Sequence, residues 1–368
     1  MMIQDGPKVW TRHSGFLNAA MMLLISLLLT APGARAEQGG PFASLTVDAG
    51  LAPYSPQTQV SGTLKVQGSD TMSPLMTRLA AEFQRRQPQV TISVRGGGSS
   101  NAVSELLEPP VPGRIMLKEE RTNHFLLVAS SRELLDSEIK QFVAQHGYEP
   151  LAVPVAVDAV ALYVHQDNPL PGLTLDQVDA IFSTTRKRGY KTEIKRWGQL
   201  GLANGWEKGA IQLYGRDRKS GTRAFFQEHV LAGGEFAPHL QEQPGAASVV
   251  LALSRDPFGI GYNGLGFQAS AVRMVPLAEN EGMPFITPSF ATVADQTYPL
   301  RRILYVYLDK SPKSPLPSAA QEFLTFITSR EGQEAVVRAG FFPLPMSQVT
   351  KSLLSLEATR TPGIAAGQ

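Results

Sequence analysis

The 368-residue chain contains no cysteine, so no disulfide, no thiolate metal site and no lipid-modified N-terminal cysteine can form. Histidine is scarce as well. The six present, His13, His124, His146, His165, His229 and His239, show no i, i+4 pair and no H-E-x-x-H pattern, which argues against a metal centre. An excess of one charge is also missing: 34 Lys and Arg stand against 32 Asp and Glu. Setting aside Lys8, Arg12 and Arg35 from the first group and Asp5 from the second leaves equal numbers of each sign. Nothing in that balance marks a nucleic-acid or acidic-membrane partner, so an anion would have to be recognised locally. No apolar run reaches the roughly 20 residues of a membrane-spanning helix.

The first positive feature is at the N-terminus. Lys8 and Arg12, the short apolar run Met21–Leu29 and then APGARA, with Ala34 and Ala36 in an A-x-A pattern, read as a secretory signal peptide over residues 1–36, cut before Glu37. The expected location is therefore periplasmic, without membrane insertion after cleavage. Residues 37–61, rich in Gly, Pro, Ser and Gln, read as a flexible leader. About 330 residues remain, which suggests two domains, each with its own core.

From Leu64 the chain alternates β-branched runs with amphipathic ones, the pattern of an α/β protein. In PLMTRLAAEFQRR the spacing puts Met72, Leu75, Met76, Leu79 and Phe83 on one helical face, with Ser73 as N-cap and Pro74 in the first turn. FLLVAS (125–130) and IQLY (211–214) read as strands, and LTLDQVDAIF (173–182) and TRAFFQEHVL as helices. The proline-bearing EPPVPGRIMLKEERTNH reads as a surface loop, and the basic STTRKRGYKTEIKRWGQL as a solvated face. Two apolar runs, AVPVAVDAVALYVH from Ala152 and YPLRRILYVYL (298–308), are fit to cross between domains. The closing helical segment stops at Gly340.

One local form recurs. LKVQGSDTMSPL, TISVRGGGSSNAV and IQLYGRDRKSGTRAF each run from strand through glycine and hydroxyl residues into a helix. Such a corner aims the unpaired first N–H groups of a helix outward, beside Ser or Thr hydroxyls and with no bulky side chain in the way. That is an anion cradle. Arg216 adds a planar fork to the third corner. If the three converge, each terminus counts for roughly +0.5 and, with the guanidinium, the sum is about +2.5, suited to a small dianion enclosed between two closing domains. Two corners precede the Ala152 run and one follows it, so each domain would bring part of the site.

Taken together these segments resemble the periplasmic phosphate-binding proteins that feed the bacterial phosphate ABC importer. The likeness runs from about Leu64 to Leu344 through GSDT, GGGSS, ASSR, DNPLPGLTLDQVDAIFS, RWGQLG, GRDRKSGTR, GIGYNGLGF, YPLRRILYVYL and FLTFITSREGQEAVVRAGFFPL. The resemblance implies a two-lobed type II periplasmic-binding-protein fold, each lobe a mixed sheet flanked by helices, joined by two crossover segments near 152–160 and 298–304. Lobe 1 would comprise 62–154 and 301–350, lobe 2 would comprise 155–300, and 351–368 would form a tail. It further implies a monomer that binds inorganic phosphate, needs no cofactor, meets ABC permease subunits and does no chemistry on its ligand.

Carried over by motif, the ligand set is Thr71 with the Met72 amide, Ser99 with the following amide of Ser100, Ser131, and Arg216, Ser220, Gly221 and Thr222. Two positions depart from the family pattern. FLLVASSR lacks the carboxylate that many members carry there to accept the proton of monohydrogen phosphate; Asp70 either supplies it or is a capping or hinge residue. Lys219 stands where the family has glycine, and either adds a cation or points to solvent. Asp217, next to Arg216, is expected to hold its fork.

Other patterns carry less. GIGYNG (259–264) matches G-x-G-x-x-G literally but reads as a glycine-rich turn and short strand, and GRDRKSGT lacks the order of a P-loop. GGGSSN fails the G-x-S-x-G elbow, which leaves a phosphatase-like hydrolase with little support. A phosphate-binding or sulfate-binding adhesion or signalling module, uncoupled from transport, is the remaining alternative.

Overall fold

A computed structural model describes residues 45–56, 58–108, 125–267 and 269–357. The signal segment, the start of the leader, nearly all of the proline-bearing loop and the last residues of the tail lie outside the described residues.

The N-terminal part runs β1 (Gly62–Gly68), α1 (Ser73–Gln84), β2 (Val90–Arg95), α2 (Ser99–Leu106), β3 (Phe125–Ser130) and α3 (Asp136–His146). A long strand, β4 (Leu151–His165), leads into β5 (Leu173–Thr174), α4 (Leu175–Phe182), β6 (Gln212–Arg216), α5 (Gly221–His229), β7 (Gln241–Gln243), α6 (Ala246–Leu253), β8 (Gly259–Gly264), β9 (Val272–Val275), β10 (Leu277–Ala278) and α7 (Phe290–Ala294). The chain returns through β11 (Arg301–Leu308) and ends in α8 (Ser318–Thr328), α9 (Arg330–Arg338) and α10 (Met346–Glu357).

The strands are ordered β2-β1-β3-β11-β4-β8-β6-β7, with β9 also on β4. β1 is parallel to β2 and β3, and β6 is parallel to β7 and β8. Ligand corners in such parallel units fall at the carboxyl ends of the strands. Between the two units run the antiparallel crossers: β4 pairs with β11 over its first part, from Leu151 to Ala159, and with β8 and β9 from Val160 onward. One strand thus belongs to both lobes. Its register with β11 slips between Leu304 and Tyr305, opposite Ala156 and Pro154. Pro154 has no N–H to contribute to a ladder and is tolerated at such an irregularity.

Two apolar clusters flank the crossing strands. One packs Phe182, Phe226 and Tyr262 with Trp197, Val249 and Leu253, the Phe226 and Tyr262 rings stacked at 3.9 Å. The other packs Leu64, Leu75, Met76, Leu79 and Phe83 with Leu304, Val306, Phe323 and Phe326. Met72, Leu75, Met76, Leu79 and Phe83 are all 0% exposed, as their helical spacing requires.

Several local expectations change. Ser73 is the first helical residue of α1 and not its cap; Met72 holds the cap position, and its N–H is met by the Ser69 carbonyl at 3.1 Å and hydroxyl at 3.3 Å. From Leu45 the described part of the leader is mostly exposed but held to the protein at a few points. Leu51 is 1% exposed, Arg330 Nε donates to its carbonyl at 3.2 Å, and Tyr54 lies edge-on to Phe326 at 5.3 Å, so a polar-looking segment is anchored by two apolar side chains. The helix α10 extends to Glu357, past the expected start of the tail. GIGYNG is a buried strand throughout, and a Cβ on Gly261 would stand 2.8 Å from the Tyr214 carbonyl oxygen, so glycine serves strand packing there. The basic loop is partly tied down. Arg188 donates to the Val230 and His229 carbonyls and Lys187 to that of Gly233, placing cations at the C-terminal end of α5.

Candidate functional site

The site forms where four strands end. Behind β1 stand Asp70 and Thr71; behind β2, the turn Gly96-Gly97-Gly98 opens α2 with Ser99; behind β3 stands Ser131; and behind β6, Arg216 and a short loop lead to Ser220, the N-cap of α5. Thr71, Ser99, Ser131, Arg216, Ser220 and Thr222 are each no more than 2% exposed. Burying so many hydroxyls is costly unless each is hydrogen-bonded, and most of the bonds found run between them.

Contacts cross the cleft between the lobes at several levels. Thr71 Oγ1 is 3.1 Å from Thr222 Oγ1, and Arg216 Nη2 donates to Asp70 Oδ2 at 3.1 Å. The Ser100 amide donates to the Lys219 carbonyl at 3.0 Å. A Cβ on Gly221 would stand 2.8 Å from Ser131 Oγ and still closer to Ser99 Oγ, so only glycine admits this approach. Gly98, with φ +91°, is in the same position: a Cβ there would be 2.7 Å from the Lys219 carbonyl carbon. The glycines of the second corner therefore accommodate the opposite lobe's backbone.

Within each lobe the hydroxyls are ordered. Ser99 Oγ receives the Ser131 amide at 3.2 Å and lies 3.3 Å from Ser131 Oγ. Ser220 Oγ accepts from the Thr222 amide at 3.2 Å and the Arg223 amide at 3.4 Å, so its own proton is left for donation. Arg216 is 1% exposed; its Nε and Nη1 are buried and meet no hydrogen-bond partner among the described residues. Burial pushes the guanidinium below its ordinary value, and Asp70 opposes that most.

The structure thus brings together Asp70, Thr71, Ser99, Ser131, Arg216, Ser220, Gly221 and Thr222. Two expected donors have partners inside the chain: the Met72 amide turns back to Ser69, and the Ser100 amide is taken by Lys219. The brace on Arg216 is Asp70 and not Asp217, which makes no ion pair with it among the described residues. Asp70 reaches Arg216 from the other lobe, whereas the neighbouring Asp217 shares its turn and adds only a longer-range attraction. Asp70 Oδ1 also receives the Gly97 amide at 2.9 Å, so its carboxylate links the first and second corners as well. Lys219 is exposed, as the solvent-facing alternative requires.

Two charged residues escaped the motif-based reading. Arg302, on β11, donates to Thr222 Oγ1 at 3.0 Å and is paired with Asp158 on β4. Asp158 is the one acidic residue in its apolar crossing run and Arg302 one of two adjacent arginines in the other, and a charge that must be buried is itself a signal. No group of His, Asp or Glu among the described residues is suited to hold a metal ion, and no helix there is long and apolar enough to cross a membrane.

The fold and the cleft define a binding protein of the two-lobed type II class, built to close over a ligand. The sequence profile described as the PBP superfamily domain matches residues 54–331. A relative named phosphate-binding protein PstS, from Pseudomonas aeruginosa, is 42% identical over 334 residues, covering 91% of this chain and 98% of that protein. Another of the same name from Bacillus subtilis is 26% identical, covering 80% and 85%. The chain belongs to the PBP superfamily and, within it, to the PstS family. Among solved structures, an ABC-type phosphate transport receptor from Vibrio cholerae aligns with TM-score 0.56 at 20% identity, over 77% of this chain and 100% of that one, a likeness of fold.

Proposed function

We propose that this protein is a periplasmic receptor that captures inorganic phosphate by hinge closure and hands it to the permease of an ABC importer. One observation carries the reading: a guanidinium, 1% exposed and with two nitrogens lacking partners among the described residues, stands among hydroxyls contributed by both lobes. These groups lie together between the lobes, and a compact oxyanion among them can accept from Arg216, Thr71, Ser99, Ser131, Ser220 and Thr222. Hydrogen bonds to a charged group contribute about 1.5 to 3 kcal/mol each, which outweighs dehydration of a phosphate only when several act at once in an enclosed site. The relative from Pseudomonas aeruginosa, matched over 98% of its length, carries phosphate binding in its name.

The finer points of the reading are a cleaved signal peptide, lobes bounded near 154 and 301, a monomeric receptor, and binding without turnover. The last is supported by the make-up of the site, where no histidine stands among the hydroxyls of the described residues to act as a general base of the Ser-His type. Titration calorimetry of ligand-stripped protein with phosphate, arsenate and sulfate, at pH values on either side of the second ionisation of phosphate, tests the ligand. Sulfate binding as tight as phosphate, or no phosphate binding, would refute it. Turnover of p-nitrophenyl phosphate above a Ser99→Ala, Ser220→Ala control would point to a hydrolase instead.

A further inference from the structure

Asp158 and Arg302 stand outside the ligand set that the family motifs suggest, yet they are buried at 1% and 4% exposure in the strands that join the lobes. They face each other directly in the antiparallel register of β4 and β11. Arg302 places both Nε, at 3.0 Å, and Nη2, at 2.7 Å, on the same oxygen, Asp158 Oδ2. Its third nitrogen, Nη1, donates to Thr222 Oγ1 at 3.0 Å, and that oxygen is 3.1 Å from Thr71 Oγ1. The Phe225 ring lies against the guanidinium, 5.5 Å away, on the side of α5. A continuous polar path therefore runs from the crossing strands, through the first turn of α5, to the loop behind β1 in the other lobe.

The direction of the bonds along this path is fixed by chemistry. A guanidinium has donors and no acceptor. Thr222 Oγ1 must accept from Arg302, so its own proton is turned away from Arg302, towards Thr71 or an anion beside it. Distances alone leave the Thr71 and Thr222 pair undirected, since either oxygen could donate. The unprotonated oxygens of an oxyanion only accept, and a hydroxyl that already receives a charge-assisted bond is the better donor to them.

We infer that Arg302, braced by Asp158, is a positioning residue for the anion site: it commits the Thr222 hydroxyl to donation and ties the crossing strands to the cleft. This rests on the phosphate-receptor reading. A purely structural ion pair would instead change stability and leave the Thr222 contribution to binding untouched.

A double-mutant cycle read by calorimetry with inorganic phosphate distinguishes the two. Its corners are the wild type, Thr222→Val, the charge-neutral pair Asp158→Asn with Arg302→Met, and all three changes together; removing both charges leaves no lone buried ion. Thr222→Val is expected to weaken phosphate by about tenfold or more in the wild type, and by less than about twofold once the pair is neutral. Thr222→Ser should restore wild-type affinity, because it keeps the hydroxyl. Equal losses in both backgrounds overturn the inference. So does a folded neutral-pair protein with wild-type affinity.

Should the neutral pair not fold, Arg302→Lys replaces it. An ammonium keeps the charge beside Asp158 but lacks the fork needed to reach Thr222 as well. Weaker phosphate binding with an unchanged melting temperature supports the inference, and wild-type affinity overturns it. A wild type that binds no phosphate removes the receptor reading and this inference with it; a wild type that binds, with additive losses in the cycle, removes this inference alone.

Discussion

Asp70 and Arg216, 146 positions apart in the chain, meet at 3.1 Å across the cleft. The two ends of this pair are unequal: the Arg216 side chain is 1% exposed and that of Asp70 27%. The carboxylate offsets the guanidinium charge, so the arginine contributes less net attraction for an anion than its position in a glycine-serine corner suggests. What it contributes is direction. Asp70 occupies Nη2 and leaves Nε and Nη1 as two separate donors, without partners among the described residues.

Arg216→Ala removes these donors and is expected to weaken phosphate binding by about 2 to 5 kcal/mol in calorimetric titration. The fold should survive, because the carboxylate left behind is partly exposed and water can solvate it. Far-ultraviolet circular dichroism checks that point. Unchanged affinity would place Arg216 outside the site.

Asp70→Asn tests whether the same carboxylate reads the protonation of the ligand. Each of its oxygens accepts one bond in the structure, from Gly97 at 2.9 Å and from Arg216 at 3.1 Å, and a carboxylate oxygen can accept a second. Monohydrogen phosphate has a proton to give it; sulfate has none and meets only repulsion. The phosphate-to-sulfate affinity ratio is expected to fall in the Asn variant, by about tenfold if one charge-assisted bond is lost. A ratio equal to that of the wild type would assign the role elsewhere.

Much of this site was legible because its physical requirements are narrow. A corner that must admit an anion, or the backbone of another lobe, needs glycine and small hydroxyl residues, and GSDT, GGGSS and KSGT display them in order. The face of α1 was legible for the same kind of reason, since only helical spacing unites Met72 to Phe83. Asp158 and Arg302 were not, because a charge in an apolar run acquires its partner only once two strands 144 residues apart are in register, and the sequence does not say which of Arg301 and Arg302 turns inward. Nor was the split of roles among neighbours: Met72 and not Ser73 holds the cap position of α1, its amide taken by Ser69, and Asp70 and not Asp217 braces Arg216, choices made by the path of the backbone within one turn. Within the leader, Leu51 and Tyr54 are too few to register as a pattern, yet both pack against the rest of the protein.

Alkaline pH should destabilise the protein through its buried tyrosines. Tyr163, Tyr262 and Tyr298 are no more than 1% exposed, and burial holds each phenol well above its ordinary value of 10.0. The folded state therefore keeps protons that the unfolded state gives up, so this contribution to stability is complete below pH 10.0 and is lost as pH rises beyond it. Melting temperatures recorded from about pH 8 to about pH 11 should hold and then fall above about pH 10, with the tyrosinate absorbance of these residues appearing only on unfolding. Complete tyrosinate formation in the folded protein near the ordinary value would contradict the burial.

Gly98→Ala offers the most direct test of closure, because its neighbour supplies the control. Both Gly97, at φ +119°, and Gly98, at φ +91°, hold a backbone conformation that an alanine rarely adopts. A Cβ on Gly97 meets nothing within 4 Å, whereas one on Gly98 would be 2.7 Å from the Lys219 carbonyl carbon of the opposite lobe. Both substitutions thus strain a positive-φ backbone, by about 1 to 3 kcal/mol each, and only Gly98→Ala adds a wedge between the lobes. Phosphate affinity is expected to fall by at least about tenfold more in Gly98→Ala than in Gly97→Ala, a difference of about 1.4 kcal/mol. Small-angle scattering should show Gly97→Ala contracting on phosphate addition and Gly98→Ala failing to. Equal affinities with equal contraction would mean that the Lys219 carbonyl does not seat against this glycine when the ligand is bound.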